Sequence, residues 1–138
     1  MSGVFIGFDF GYRRIGVAVG QQITQSARPL ETILAKEGIP DWSLIQKIIK
    51  EWRPKALVVG LPTKIDDTEQ YTTEAARQFA GSLETHFNLP VYLVDERLTT
   101  VEARARIFES GGFRKLKQSQ VDSFAASVIL EQWLRSNE

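Results

Sequence analysis

The stretch Val4-Phe5-Ile6-Gly7-Phe8-Asp9-Phe10, followed after Gly11-Tyr12-Arg13-Arg14 by Ile15-Gly16-Val17-Ala18-Val19-Gly20, decides the fold. Two dense apolar runs joined by a short polar connection read as a hairpin of buried strands. In the second run Gly16, Ala18 and Gly20 alternate with Ile15, Val17 and Val19. That is the period of two that lets a neighbouring element pack closely on one face. A third strand is expected around Ala27 to Ile33. Beyond it, Trp42, Leu44, Ile45, Ile48, Ile49 and Trp52 recur at helical spacing after Asp41 and before Pro54, which predicts an amphipathic helix. Ala56-Leu57-Val58-Val59-Gly60 then reads as a central strand, and Thr63 to Thr68 as a loop. Ala75, Ala76, Phe79, Ala80, Leu83 and Phe87 mark a second helix, and Val91-Tyr92-Leu93-Val94 a further strand.

Thr99-Thr100-Val101-Glu102 has the spacing of a capping box, so a helix is expected there, ending at Gly111-Gly112. A last helix is expected from near Ser119, carrying Val121, Phe124, Ala125, Val128, Ile129 and Trp133 inward. The order predicts an α/β fold: a mixed five-stranded sheet, antiparallel at its start and then built of βα units, flanked by helices. The 138 residues fit one domain spanning 1–138, with no repeat or linker.

Composition narrows the function. Hydrophobic residues at 43% and charged residues at 25% are those of a globular chain, not a disordered or fibrous one. The absence of cysteine excludes disulfides, thiolate zinc sites and cysteine nucleophiles together and fits a reducing cytoplasm. The start lacks a basic n-region and Asp9 interrupts its apolar run, so no secretory segment and no membrane association are expected. Seventeen basic against seventeen acidic side chains give no net charge, so any affinity for a polyanion must come from charge distribution. Between Arg97 and Lys117 the balance is basic: Arg97, Arg104, Arg106, Arg114, Lys115 and Lys117 stand against Glu102 and Glu109. A solvated helix face accounts for such a run as readily as a binding surface does.

Three acidic positions are candidates for chemistry. Asp9 lies inside an apolar strand, where an ionised carboxylate without a partner is costly, so a metal or cation is expected beside it; a strand-end aspartate capping the Arg13-Arg14 turn is the structural alternative. Asp95-Glu96 follows the last apolar strand, at the carboxyl end where open α/β sheets gather ligands, and strand alternation lets only one of the two face the site. Asp122, three residues after Ser119, imitates a capping box in the first turn of a helix and gains functional weight only from the other two. Together they are what divalent-metal phosphodiester hydrolysis needs: hard oxygen ligands from separate elements of one sheet, holding Mg2+ or Mn2+, as one ion or as two roughly 3.5–4 Å apart. His86, the single histidine, belongs to a polar helix face and is expected to be solvated, and no P-loop or paired-histidine zinc motif occurs.

Phe8-Asp9-Phe10-Gly11, Val59-Gly60-Leu61-Pro62, Asp95-Glu96-Arg97-Leu98-Thr99-Thr100 and Asp122-Ser123-Phe124-Ala125-Ala126, in that order and over nearly the whole chain, resemble the YqgF family. The resemblance implies an RNase H-like fold related to the RuvC resolvases. It also implies a cytoplasmic bacterial nuclease that matures the 5′ end of pre-16S ribosomal RNA, with a ribosomal particle as possible partner; an older assignment in the family is Holliday junction resolvase, acting on four-way DNA. Carried over, Asp9, Glu96 (or Asp95 in its place) and Asp122 are the catalytic and metal-binding acids. Gly11 permits close approach of the hairpin to the site, and Arg97 with Thr99 contacts phosphate. Arg104, Arg114 and Lys117 then steer the nucleic-acid backbone. One departure stands out: Ile65-Asp66-Asp67 occupies the place of the family's Met-Asp-Gly turn.

Two readings of another kind remain at this level. Asp-x-Gly in an N-terminal hairpin is also the phosphate signature of actin-like ATPases, but those close two lobes over the nucleotide and this chain is too short for that. A nucleic-acid-binding module without catalysis would keep the fold while its carboxylates only cap and bridge. A monomer or weak dimer is expected for RNA maturation, whereas junction resolution calls for a symmetric dimer.

Overall fold

The first apolar run forms strand β1, Val4–Asp9, and the second forms β2, Arg14–Gln21; they pair antiparallel with Asp9 opposite Gly16 and Val4 opposite Gln21. The computed structural model describes residues 3–61, 67–95 and 118–136. Beyond the hairpin come β3 (Ser26–Pro29), β4 (Ile33–Lys36) and β5 (Ile39–Pro40), helix α1 (Trp42–Trp52), β6 (Ala56–Leu61), helix α2 (Asp67–Phe87), β7 (Val91–Asp95) and helix α3 (Gln118–Ser136). β6 runs parallel to β1, and β7 parallel to β6.

Seven strands, not five, are present among the described residues, in the order β5-β4-β2-β1-β6-β7 with β3 also on β2. The excess has a local cause. The third strand expected over 27–33 is split: β3 covers β2 from Ala18 to Gln21 and β4 covers it from Arg14 to Ile15, along the same edge. At the break, Leu30 still donates to the Val17 carbonyl at 2.7 Å, but the Val17 N–H has lost its strand partner and donates instead to Ser123 Oγ of α3 at 3.2 Å. β5 is a two-residue return of β4.

Helix α1 starts where Asp41 accepts from the Ser43 N–H at 3.1 Å and stops at Arg53 in a left-handed conformation before Pro54. α2 begins at Asp67, earlier than the expected loop end at Thr68, and α3 begins at Gln118. The helix expected between Thr99 and Gly112 lies outside the described residues.

The sheet separates two cores. Ile6, Phe8, Phe10, Val17, Leu57 and Val59 face α1 and α2, where Phe79 sets its ring edge-on to Phe8 with centroids 5.5 Å apart. Phe5, Ala18, Ala56 and Val58 face α3 and meet Ala126, Ile129, Leu130 and Leu134. The second core is thin because its sheet residues are small. A Cβ on Gly7 would stand 2.9 Å from the Leu130 Cβ, and one on Gly16 would overlap the Asp122 carbonyl oxygen. The alternation of small residues read from the sequence is therefore the seat of α3.

Because the atoms facing Gly16 are helix backbone, which cannot swing aside, Gly16→Ala should lower the unfolding free energy by at least about 3 kcal/mol, the upper end of ordinary overpacking costs. Denaturant midpoints of the two proteins measure this, and equal midpoints would show that α3 is not held against β2 as described.

Candidate functional site

Asp9 closes β1 in the middle of the sheet, with Gly16 of β2 opposite it on one side and Gly60 of β6 on the other. Its side chain takes the α3 face, since Phe5 and Gly7, four and two residues earlier, both face that helix. Neither lateral neighbour has a side chain, so no side chain of β2 or β6 stands directly beside the half-buried Asp9 carboxylate. Asp122 arrives from above: its backbone carbonyl lies directly over Gly16. Asp9 and Asp122 thus flank the same glycine on the same face, at the carboxyl end of β1, where open sheets place ligands.

The side chain of Asp122 is fixed from β2. Arg14 Nε donates to Asp122 Oδ2 at 3.0 Å, with the arginine side chain 41% and the aspartate 21% exposed. Beside it Ser123 is buried, accepts from Val17 N–H and shares a 2.6 Å hydrogen bond with Thr32 Oγ1. The break in the third strand, the start of β2 and the helix residue carrying the acid are therefore pinned together.

This geometry corrects the capping account of Asp122. With α3 starting at Gln118, Ser119 is inside the helix, no acid lies in the first turn, and the Asp122 carboxylate accepts from Arg14 of β2. Gly11 has a local reason: a Cβ there would stand 2.6 Å from the Arg14 carbonyl oxygen, so tight closure of the β1–β2 turn alone requires glycine. His86 is exposed, but its ring stacks on Trp42 with centroids 4.2 Å apart and planes 5° apart, and its Nδ1 hydrogen-bonds to the Ser82 carbonyl at 2.9 Å. It is distant in the fold from Asp9, on the α1–α2 side of the sheet.

Asp95 ends β7, one step past Val94, which stands in register with Gly60 and through it with Asp9. At strand spacings of about 4.8 Å, that row places the end of β7 roughly 10 Å across the sheet from Asp9. Glu96, Arg97, Thr99, Arg104, Arg114, Lys117 and the Ile65-Asp66 segment lie outside the described residues. Among the described residues, no three histidine or acidic side chains form a metal-binding group, and no helix is long and apolar enough to cross a membrane. Three participants went unseen in the sequence: Arg14, Ser123 and Thr32. Only Arg14 had a visible signal, as a cation bordering the apolar strand that faces Asp9.

A mixed sheet opened by an antiparallel hairpin, with an acid ending its first strand and another entering on the C-terminal helix, defines an RNase H-like fold of the RuvC kind. The structure of Thermus thermophilus RuvC in complex with Holliday junction substrate superposes with a TM-score of 0.59, covering 97% of this chain and 94% of that one at 16% identity, a likeness of fold. The chain belongs to the RuvX family, described as "Holliday junction resolvase", whose model matches residues 3–136, and the YqgF resemblance read from the motifs holds. It is 66% identical over 136 residues to a protein of Legionella pneumophila (strain Lens) named "Putative pre-16S rRNA nuclease", covering 99% of this chain and 98% of that one. A Klebsiella pneumoniae protein of the same name is 53% identical over 137 residues, covering 99% of each.

Ser123→Ala leaves the buried Val17 N–H without an acceptor and should cost about 1–3 kcal/mol of stability. Thr32→Val, which leaves that acceptor in place, should cost less. Chemical denaturation ranks the two, and the reverse order would break the account of the split strand.

Proposed function

We propose that this chain is a metal-dependent nuclease that hydrolyses phosphodiester bonds in maturing the 5′ end of pre-16S ribosomal RNA. It acts in the cytoplasm as one RNase H-like domain over residues 1–138. The observation that carries the reading is the convergence of Asp9 and Asp122 on one face of the sheet, either side of Gly16. The name shared by relatives at 66% and 53% identity supports the choice of substrate.

The donor set fits a hard divalent cation. It consists of carboxylate oxygens from two elements, with Gly60 presenting no side chain on the β6 flank of Asp9, and it contains no thiolate or imidazole that would favour a softer metal. Bound there, Mg2+ or Mn2+ supplies Lewis-acid chemistry, activating water and offsetting charge on the phosphodiester. Asp9 and Asp122 would hold the cation, and the hydrogen bond from Arg14 keeps one Asp122 oxygen at a fixed place. Glu96 is our choice for the third acid. Asp95, the last residue of β7, is the alternative. Arg97 and Thr99 bind phosphate next to that acid, and Arg104, Arg114 and Lys117 steer the RNA backbone. A ribosomal precursor particle is the natural context, with the protein a monomer or weak dimer.

A second reading, Holliday junction resolvase, is favoured by the family's description and by the RuvC-like fold. Both readings use one site and differ in substrate. A resolvase must present two sites in a symmetric dimer, so a tight dimer in sedimentation favours it and a strict monomer opposes it.

The decisive experiment gives the purified protein Mg2+ or Mn2+ with pre-16S RNA and with a four-way DNA junction. Cleavage of the RNA near its 5′ end is expected, abolished by EDTA. Since loss of an outer-shell partner of a metal ligand already costs 10–100-fold, Asp9→Asn and Asp122→Asn should each reduce the rate at least about 100-fold. Cleavage confined to the junction transfers the assignment to resolution, and full activity in Asp9→Asn removes the site.

A further inference from the structure

Arg14 is tied to the site by geometry that stability does not explain. It opens β2 two residues before Gly16 and so takes the same face as Asp9 and Asp122. Because Asp9 pairs with Gly16, Arg14 lies past the end of β1, over the carboxyl edge of the sheet where a ligand would enter. It binds Asp122 Oδ2 through Nε alone, at 3.0 Å. No other described residue takes its Nη groups, and its side chain is 41% exposed. An ion pair so open to water adds little to folding.

The arrangement does suit an oxyanion. A guanidinium carries five N–H donors in a rigid plane; engaging Nε orients the plane and leaves the Nη pair to meet two oxygens of a phosphate. Holding that plane beforehand removes most of the ordering cost on binding. The charge balance points the same way. A phosphodiester approaching Asp9 and Asp122 meets two negative groups, and Arg14 is the cation fixed at their rim among the described residues.

We propose that Arg14 is a substrate-binding residue of this site: with Nε held by Asp122, its Nη groups take the non-bridging oxygens of a nucleic-acid backbone phosphate at the Asp9–Asp122 cleft. The inference rests on the nuclease reading above and adds a phosphate contact on the hairpin.

The test measures binding without cleavage. In an Asp9→Asn background with Mg2+, fluorescence anisotropy follows a pre-16S 5′ RNA fragment and a four-way junction across a KCl series. The parent is compared with Arg14→Gln, Arg14→Lys and Arg13→Gln added to it. Arg13 is the control: it is exposed and equally charged, and among the described residues it pairs with no carboxylate. Arg14→Gln should weaken binding about tenfold and lower the slope of log K against log salt by about one unit, the signature of one lost phosphate contact. Arg14→Lys should recover the slope but not the full affinity, and Arg13→Gln should leave the slope alone. A purely structural role for Arg14 moves the denaturation midpoint and not the slope. An unchanged slope in Arg14→Gln, or an equal fall in Arg13→Gln, overturns the proposal while cleavage by the unsubstituted protein stays intact. If that protein neither binds nor cuts either probe, the nuclease reading fails and this inference with it.

Discussion

The contact between the Asp122 backbone and Gly16 governs the rest of the molecule. A helix can approach a strand this closely only where the strand presents no side chain, and β2 presents Gly16, Ala18 and Gly20 in alternation toward α3. Close approach has a polar consequence as well. It lets the Ser123 hydroxyl stand in for a missing strand, taking the Val17 N–H where the outer edge of β2 is bare between β3 and β4. A larger residue at 16 would therefore disturb more than packing: an amide in the middle of the sheet would lose its acceptor, and a buried N–H without one is expensive.

The two faces of the sheet are built for different purposes. On the α1–α2 side, Phe8, Phe10, Phe79 and Trp42 fill a thick aromatic core. On the α3 side the sheet contributes Ala18, Ala56, Val58 and glycines, so little volume separates helix from strand. Only on the thin side can a carboxylate carried by a helix come down to the level of one carried by a strand. Asp9 takes that face by parity and Asp122 by helix seating, and both depend on the same small residues.

Much of this was legible in the chain because it is local. Strand alternation, the Asp41 cap, the Pro54 stop and the apolar runs of β6 and β7 are decided within a few residues, and the structure has them where the sequence placed them. The third strand was misjudged because its interruption is imposed from 91 residues away, by Ser123 hydrogen-bonding to Thr32. Asp122 was credited with a capping alternative because Ser119-x-x-Asp122 fits that pattern locally. The helix in fact starts a residue earlier, and the acid's partner lies 108 residues back in the chain. Arg14 escaped notice for the same reason. As a residue flanking a turn it is ordinary, and it acquires meaning only when the fold sets an acid opposite it.

That pairing also explains how a chain with no net charge can serve a polyanion. Long-range attraction requires excess charge, but the energy of a phosphate at a cleft depends on groups within about a Debye length, some 8–10 Å at ordinary ionic strength. Within that distance two acids alone would repel substrate, and a divalent cation alone would have to offset both of them and the phosphate. An arginine bonded to one acid changes the sum. It cancels the charge of Asp122 at the rim while leaving the carboxylate's second oxygen, Oδ1, outside that bond. On the proposed nuclease reading, the fold concentrates negative charge where a metal would bind and relieves it where the nucleic acid would pass. Since the relief comes from a strand already locked to Asp9 by register, it involves no mobile loop.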